Sequence, residues 1–316
     1  MKKILMTVAV AAAMATGAAQ AQVSVMLPAG PGGGWDTTGR QAFQALNDAG
    51  IYTGGVNFTN TGGAGGTIGL AEFVSTSSGQ PDALAVFGAI TVGAIELNDS
   101  PIDLSEFRPV ARLTAEYLVV AVAENSEIDT LDELVAALKE NPGGTPVGGG
   151  SAGGVDHIAL ALLAQEAGVP VAEINYIPQT SGAETVTAIV NGTLVAGISG
   201  TSEFAQFADQ GRIKILGVTS AERREDLPDV PTFQEEGYDV ELANWRGILA
   251  APGAPDENYQ MWVDNFTQLS TTDEWQQVLE TQGWDDYFLA GEEFGEFIEQ
   301  ETERQGQILR DAGLVD

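Results

Sequence analysis

Short apolar runs that end in turns and feed helix-like stretches recur along nearly the whole chain, and this alternation most limits the folds open to it. Val23 to Leu27, Val56 to Thr59 and Leu84 to Phe87 read as strands, with helical periodicity over Thr37 to Asn47 and Gly66 to Ser75 between them. Strand, helix, strand in that order implies a largely parallel sheet, with a ligand crevice at the strand C-terminal ends. After Leu118 to Val122 the pattern restarts. Thr130-Leu-Asp-Glu133 and Ser181-Gly-Ala-Glu184 are capping boxes that open helices to Lys139 and Val190. Ile174 to Ile177, Leu194 to Ile198 and Ile213 to Val218 supply further strands, so a second α/β lobe is expected. A proline-punctuated segment, Arg223 to Thr232, precedes one more strand from Trp245 to Pro252. The remainder reads as helical, with Pro255 in a first turn, a cap at Thr271-Thr-Asp-Glu274 and one apolar face from Phe294, Phe297 and Ile298. The expected division is residues 22–122 plus 241–316 in lobe one and 123–240 in lobe two.

Two of the turns are unusually rich in glycine: Pro28-Ala-Gly-Pro-Gly-Gly-Gly-Trp-Asp36, and Gly148-Gly-Gly-Ser-Ala-Gly-Gly-Val-Asp-His157. Glycine lets successive N–H groups turn inward, and the free amides at the start of the following helix favour an anion. Built twice, about a domain length apart, the device points to one anion held between two lobes. A third turn, Asn60-Thr-Gly-Gly-Ala-Gly-Gly66, falls on the same crevice wall as the first and reads either as a tight packing turn or as a ligand contact. Asp36 is expected to cap N–H groups rather than touch an anion. Trp35 is either a plug of core or a wall of the pocket, and Trp245 is expected to be structural. Arg40, Arg112 and Arg246 are expected in surface salt bridges.

Enzyme-like patterns occur in the second turn but lack partners. Gly148-x-Gly150-x-x-Gly153 fits a dinucleotide fingerprint, and Gly149-x-Ser151-x-Gly153 fits a nucleophile elbow. His157 is the one histidine of the chain and sits in the helix right after Ser151, whereas elbow chemistry recruits a histidine from a distant loop. An exported serine hydrolase using Ser151 and His157 stays as the alternative. With 0 Cys and 1 His, no metal site is expected; without a Gly-x-x-x-x-Gly-Lys-Ser/Thr loop, no ATPase; and no cofactor is assigned.

Export follows from the first residues. Met1-Lys2-Lys3, an apolar stretch through Ala13 and the ending Ala19-Gln20-Ala21 describe a signal peptide cleaved after Ala21, which places the mature protein in the periplasm. An uncleaved anchor is the competing reading. Later apolar runs fall well short of the roughly 20 residues of a membrane span. A net charge of −32 makes nucleic acid and anionic membranes poor partners and reads as a surface suited to salty surroundings. A polyvalent-cation store is set aside because no Asp-x-Asp-x-Asp-Gly loop occurs. Anion binding remains compatible with this acidity, because exposed charges are screened beyond about 8 Å at physiological salt.

The succession of these segments resembles the periplasmic receptors of tripartite tricarboxylate transporters, the Bug-type receptors. Pro31 to Asp36 with Arg40, Asn60 to Gly66, Phe107-Arg-Pro-Val110, Gly149 to His157, Tyr176 to Glu184, Gly211 to Val218, Arg223 with Pro228 to Phe233, and Trp245-Arg-Gly247 follow the family's order across the whole mature chain. The resemblance implies a two-lobed, type II-like periplasmic binding protein, a monomer and not an enzyme. It would close on a small carboxylate, such as a di- or tricarboxylate, an aromatic acid or an acidic amino acid. In the family loop amides, hydroxyls and bridging waters grip the carboxylate, and the loaded receptor serves a large and a small membrane subunit. Carried onto this sequence, the ligand contacts are Gly32, Gly33, Gly34, Trp35, Asn60, Thr61, Gly63, Gly88 and Ala89 in lobe one. In lobe two they are Ser151, Gly153, Gly154, His157, Thr201 and Ser202. Trp35 stands where the family commonly has a smaller residue, so a citrate assignment is not carried over. A sensor that signals to a membrane kinase could use the same closing lobes.

Overall fold

The direction in which each strand meets the middle of the molecule explains the architecture. The computed structural model describes residues 22–311 and 313–315; the signal segment and the cleavage site at Ala21 lie outside the described residues. The first half of lobe one runs β1 (Val23–Leu27), α1 (Gly34–Asp48), β2 (Val56–Asn60), α2 (Thr67–Ser77), β3 (Ala83–Gly88), α3 (Ala89–Leu97) and β4 (Arg108–Ala115). Lobe two follows with β5 (Leu118–Ala123), α4 (Leu131–Glu140), β6 (Val147–Gly149), α5 (Val155–Ala167), β7 (Tyr176–Pro178), α6 (Gly182–Val190), β8 (Ala196–Gly200), α7 (Thr201–Asp209) and β9 (Ile213–Val218). The chain then returns through β10 (Arg246–Ala250), α8 (Asp256–Leu269), α9 (Asp273–Gln282), β11 (Asp285–Ala290) and α10 (Gly291–Asp311).

The sheets have the orders β11-β4-β10-β3-β1-β2 and β7-β6-β8-β5-β9. The strands linked in succession through α1 and α2 in lobe one, and through α5, α6 and their loops in lobe two, run parallel: β1 with β2 and β3, and β6 with β7 and β8. Strands that arrive directly from the other lobe run the opposite way. β5 is antiparallel to β8 and β9, and β10 is antiparallel to β3 and β4. A parallel neighbour needs a long crossover to bring the chain back to its starting edge, and only two residues separate β4 from β5. The sheets are therefore mixed, with β11 also antiparallel to β4.

The lobe division differs from the expected one at its first boundary. Strand Leu118–Ala123, of which residues 118–122 are assigned above to lobe one, lies in the second sheet, so the chain crosses at Glu116 and Tyr117 and recrosses at Ala243 and Asn244. The two crossings pair with each other: Glu116 N–H donates to the Asn244 carbonyl at 3.2 Å and Asn244 N–H to that of Glu116 at 2.8 Å. Apolar content of residues 118–122 reads alike in either sheet, which is why sequence left this boundary wrong.

Capping boxes behave as their spacing predicts. Thr130 Oγ1 accepts from Glu133 N–H at 3.2 Å and Ser181 Oγ from Glu184 N–H at 3.3 Å, while both glutamates reach back to the backbone N–H just before the cap. Five elements went unread, α7 (Thr201–Asp209) among them. Ala89–Leu97 is too uniformly apolar to show helical periodicity, β6 is three residues long, and β4 carries Arg and Pro at its start. β11 interrupts a region read as helical; its Asp285 and Asp286 mask an edge strand. α8 and α9 return to lobe one, where Phe43, Trp262 and Phe266 meet edge to face or tilted at 5.7–6.3 Å between centroids. α10 lies against α3 and β4 of lobe one and also touches α5 of lobe two. Among the described residues no helix is long and apolar enough to cross a membrane.

Candidate functional site

Every loop that ends a parallel strand opens onto one cleft of about 410 Å³ between the lobes. Lobe one lines it with Pro28, Ala29, Gly30, Gly33, Gly34 and Trp35 after β1, with Gly62 to Gly66 after β2, and with Ile90. Lobe two adds Gly150, Ser151 and Asp156 after β6, Gln179 to Gly182 after β7, and Ser199, Gly200 and Glu203 after β8. Glu116, Asn244 and Arg246 of the crossings line the same cleft.

The first loop is held open by the carboxylate at its end. Asp36 Oδ2 accepts from Gly32 N–H at 2.8 Å, and Oδ1 accepts from Arg40 Nε at 2.8 Å and Asn60 Nδ2 at 2.9 Å. Burial pushes the Asp36 carboxyl upward, but the bonds from Asn60, Gly32 and Arg40 outweigh it and hold it below the ordinary value. Gly33 caps α1 without a side-chain bond, and the first helical amide used is that of Thr37, onto the Gly33 carbonyl at 2.9 Å. The amides of Gly34 and Trp35 are left for the cleft. Trp35 resolves to both of its readings: it is 8% exposed, belongs to the lobe-one core and lines the cleft. Its ring lies so close to Gly66 (φ +93°) that a Cβ there would sit 2.8 Å from Cζ3.

The second loop repeats the device. Asp156 Oδ2 accepts from Gly150 N–H at 2.6 Å, His157 Nδ1 accepts from Gly153 N–H at 3.1 Å, and Tyr176 Oη donates to the Gly150 carbonyl at 2.9 Å. The His157 and Tyr176 rings stack at 4.2 Å. Burial, with Glu203 and Glu116 nearby, pushes Asp156 up to about 7 despite the bond from Gly150, and burial lowers His157 to about 4. His157 is thus neutral and spends Nδ1 on the loop. Among the described residues no hydrogen bond joins it to Ser151, so the pair required by the hydrolase alternative is not assembled.

A buried ion pair ties the crossings together. Arg246 Nη2 lies 2.8 Å from Glu116 Oε2, while Glu116 Oε1 accepts from the Ser202 N–H at 2.8 Å and from the Ser202 hydroxyl. Glu116 therefore serves the start of α7 in lobe two, and the Arg246 guanidinium presses on Gly34 at the start of α1 in lobe one. The surface salt bridge expected for Arg246 is corrected to a buried one, because β10 is enclosed by strands on both sides. Arg112 is likewise buried: its Nε donates to the Tyr287 carbonyl at 2.6 Å, and its guanidinium lies over the Tyr287 and Phe297 rings. Arg40, half-exposed, pairs with Asp36.

Of the ligand contacts expected from sequence, Gly33, Gly34, Trp35, Gly63 and Ser151 line the cleft. The others stand behind it. Gly32 and Asn60 hold Asp36, and Thr61 turns its carbonyl toward Gly69. Gly88 has no room for a Cβ beside the Trp245 carbonyl, and Ala89 N–H donates to that carbonyl at 3.1 Å. Gly153 and Gly154 rest on Leu97 and Ile90 of lobe one, His157 braces its loop, Thr201 N–H donates to the Tyr117 carbonyl, and Ser202 binds Glu116. Sequence reasoning missed Gln179 to Gly182, Ser199, Glu203, Glu116 and Asn244. The capping box at Ser181 was a usable signal, since it places a helix start at a strand end, where the crevice lies. Glu116 and Asn244 carried none.

Two α/β lobes joined by paired crossings around one glycine-lined cleft define a two-lobed periplasmic binding protein. The chain belongs to the tripartite tricarboxylate transporter family receptors, whose model matches residues 40–314. BugT of Bordetella pertussis is 25% identical over 295 residues, covering 92% of this chain and 89% of its own. A Rhodopseudomonas palustris protein solved with adipate has the same fold, with a TM-score of 0.82 at 21% identity over 92% of this chain and 97% of that one. MatC from the same organism, solved with bound malate, gives 0.76 at 19% identity over 91% and 98%.

Proposed function

We propose that the protein is an extracytoplasmic solute-binding receptor that closes its lobes on a small organic carboxylate and hands it to a large and a small membrane subunit. One observation carries the reading: α1 begins at the cleft with the amides of Gly34 and Trp35 uncommitted, beside a loop held open by Asp36. Family membership supports it, as do the malate and adipate held by proteins of the same fold. Each charge-assisted hydrogen bond contributes about 1.5–3 kcal/mol and a helix terminus about 0.3–1 kcal/mol, so a handful of amides suffices for a micromolar site near 8 kcal/mol after ordering costs. Gly33, Gly34, Trp35, Gly63 and Ser151 are the proposed contacts, joined by Thr180, Ser181 and Ser199 across the cleft. Binding without turnover is part of the reading, and Ser151 serves as a hydroxyl donor.

A thermal-shift series of the mature protein against mono-, di- and tricarboxylates tests it. A true ligand at a hundred times its Kd adds about 2.7 kcal/mol of stability. Melting points that ignore every carboxylate but respond to neutral solutes would sink the proposal. Ester hydrolysis abolished by Ser151→Ala would replace it with the hydrolase. Uptake of the bound acid is expected to vanish when either membrane subunit is deleted, whereas a sensor would leave uptake intact.

A further inference from the structure

The cleft is electrically lopsided. Its lobe-one wall is made of glycine loops, Trp35 and Ile90 and offers backbone donors, whereas charged side chains come from lobe two and the crossings. Among the described residues that line the cleft, Arg246 is the one basic side chain, and Glu116 already neutralises it at 2.8 Å. Asp156 and Glu203 have no cationic partner among the described residues. Glu203 is exposed to the cleft and uses one oxygen, Oε2, to accept from Ser199 Oγ at 2.6 Å; among the described residues Oε1 takes no hydrogen bond. Burial above all, and then the charges of Glu203 and Glu116, push Asp156 upward, so this end of the cleft gathers acids around a single, already paired base.

A second observation points the same way. Asn244 is 8% exposed, pairs through its backbone with Glu116 and lines the same cleft, and its Oδ1 is a buried acceptor without a hydrogen-bond partner among the described residues. Unmet acceptors in a binding site are completed by ligand donors, because an unpaired buried acceptor costs free energy. A second carboxylate placed here would meet like charge and supply no hydrogen.

Resting on the carboxylate reading above, we infer that the ligand is zwitterionic: a carboxylate held by the lobe-one amides, and an ammonium group held by Glu203 with Asn244 on the lobe-two side. A plain dicarboxylate is selected against by the same wall. Closure then brings a negative wall onto a positive group and adds attraction between lobes only when that group is present.

Isothermal titration of the mature protein with acids matched in length tests this. The four-carbon set is butyrate, 4-hydroxybutyrate, 4-aminobutyrate, 2-aminobutyrate, succinate and aspartate, with the corresponding five-carbon set beside it. An amino member is expected to bind at least about 10-fold more tightly than its unsubstituted, hydroxylated and dicarboxylic counterparts. Glu203→Gln is expected to erase that margin while the ligand-free melting point stays put, since the side chain is exposed. Were the variant to melt lower, rising ionic strength on the wild type gives the same readout: the margin of the amino acid shrinks. A dicarboxylate or hydroxy acid that binds as well as its amino counterpart, or a margin that survives both Glu203→Gln and salt, overturns the inference and leaves the carboxylate receptor standing. If no acid of any kind binds, both fall.

Discussion

Asp156 and His157 are neighbours in sequence whose titrations oppose each other. Burial raises Asp156 to about 7 from 3.8, so the folded chain keeps a proton that the unfolded chain has lost, and this contribution to stability falls as pH climbs from about 4 to about 7. Burial lowers His157 to about 4 from 6.5, so the unfolded chain takes up the extra proton, and stability from this residue rises as pH climbs from about 4 to 6.5. The two slopes largely cancel in the wild type. Removing one exposes the other: Asp156→Asn is expected to gain stability relative to wild type with rising pH across that window, and His157→Phe to gain with falling pH. Urea unfolding at pH 4.5, 5.5 and 6.5 measures both, and curves parallel to wild type would contradict this account. At this scale sequence reading went far. It took Asp36 for a capping carboxylate, and the side chain indeed holds Gly32 N–H. It gave His157 a chance at the ligand, because nothing in the spelling of Gly153 to His157 reveals that Nδ1 turns back onto its own loop.

Elements were legible where one face is apolar and a cap marks the end. α4 and α6 begin at the residues their capping boxes name, and β1 and β9 match their apolar runs to the residue. Uniformly apolar α3 and the short or charged strands β6 and β11 lack such punctuation, and only their neighbours make them what they are. The start of α1 depends on a side chain beyond its cap. Asp36→Ala leaves Gly32 N–H without its acceptor, Asn60 Nδ2 with only the Ala29 carbonyl and Arg40 with only Asn60 Oδ1, at a cost of about 1–3 kcal/mol for the unsatisfied group. Calorimetry is expected to show the lower melting point. Titration is expected to show carboxylate affinity falling at least 10-fold, because the loop that presents the Gly34 and Trp35 amides is no longer fixed. A variant that melts early yet binds normally would separate the latch from the site.

For the whole molecule the decisive contact is the pair Glu116–Arg246, where strands leaving and re-entering lobe one lie side by side and reach both α1 and α7. Glu116→Ala strands a buried guanidinium, a change that costs about 3–5 kcal/mol. The double substitution Glu116→Leu with Arg246→Met is expected to recover much of that stability, because a buried pair replaced by apolar groups is often neutral. Ligand-induced compaction in small-angle scattering is expected to weaken in the double variant, since the link from hinge to both helix starts is gone. A double variant as unstable as the single one would mean that packing, not charge, holds this corner. The sequence by itself determined the α/β alternation, the two glycine cradles, the capped helices and the family, because each is written in local periodicity, backbone freedom or short-range hydrogen bonds. Tertiary structure alone decided where the chain changes lobes, that Arg246 is buried rather than exposed, and that Glu116, Asp156, Glu203 and Asn244 share one cleft. Those facts rest on contacts between residues up to 130 positions apart, and no local pattern encodes them.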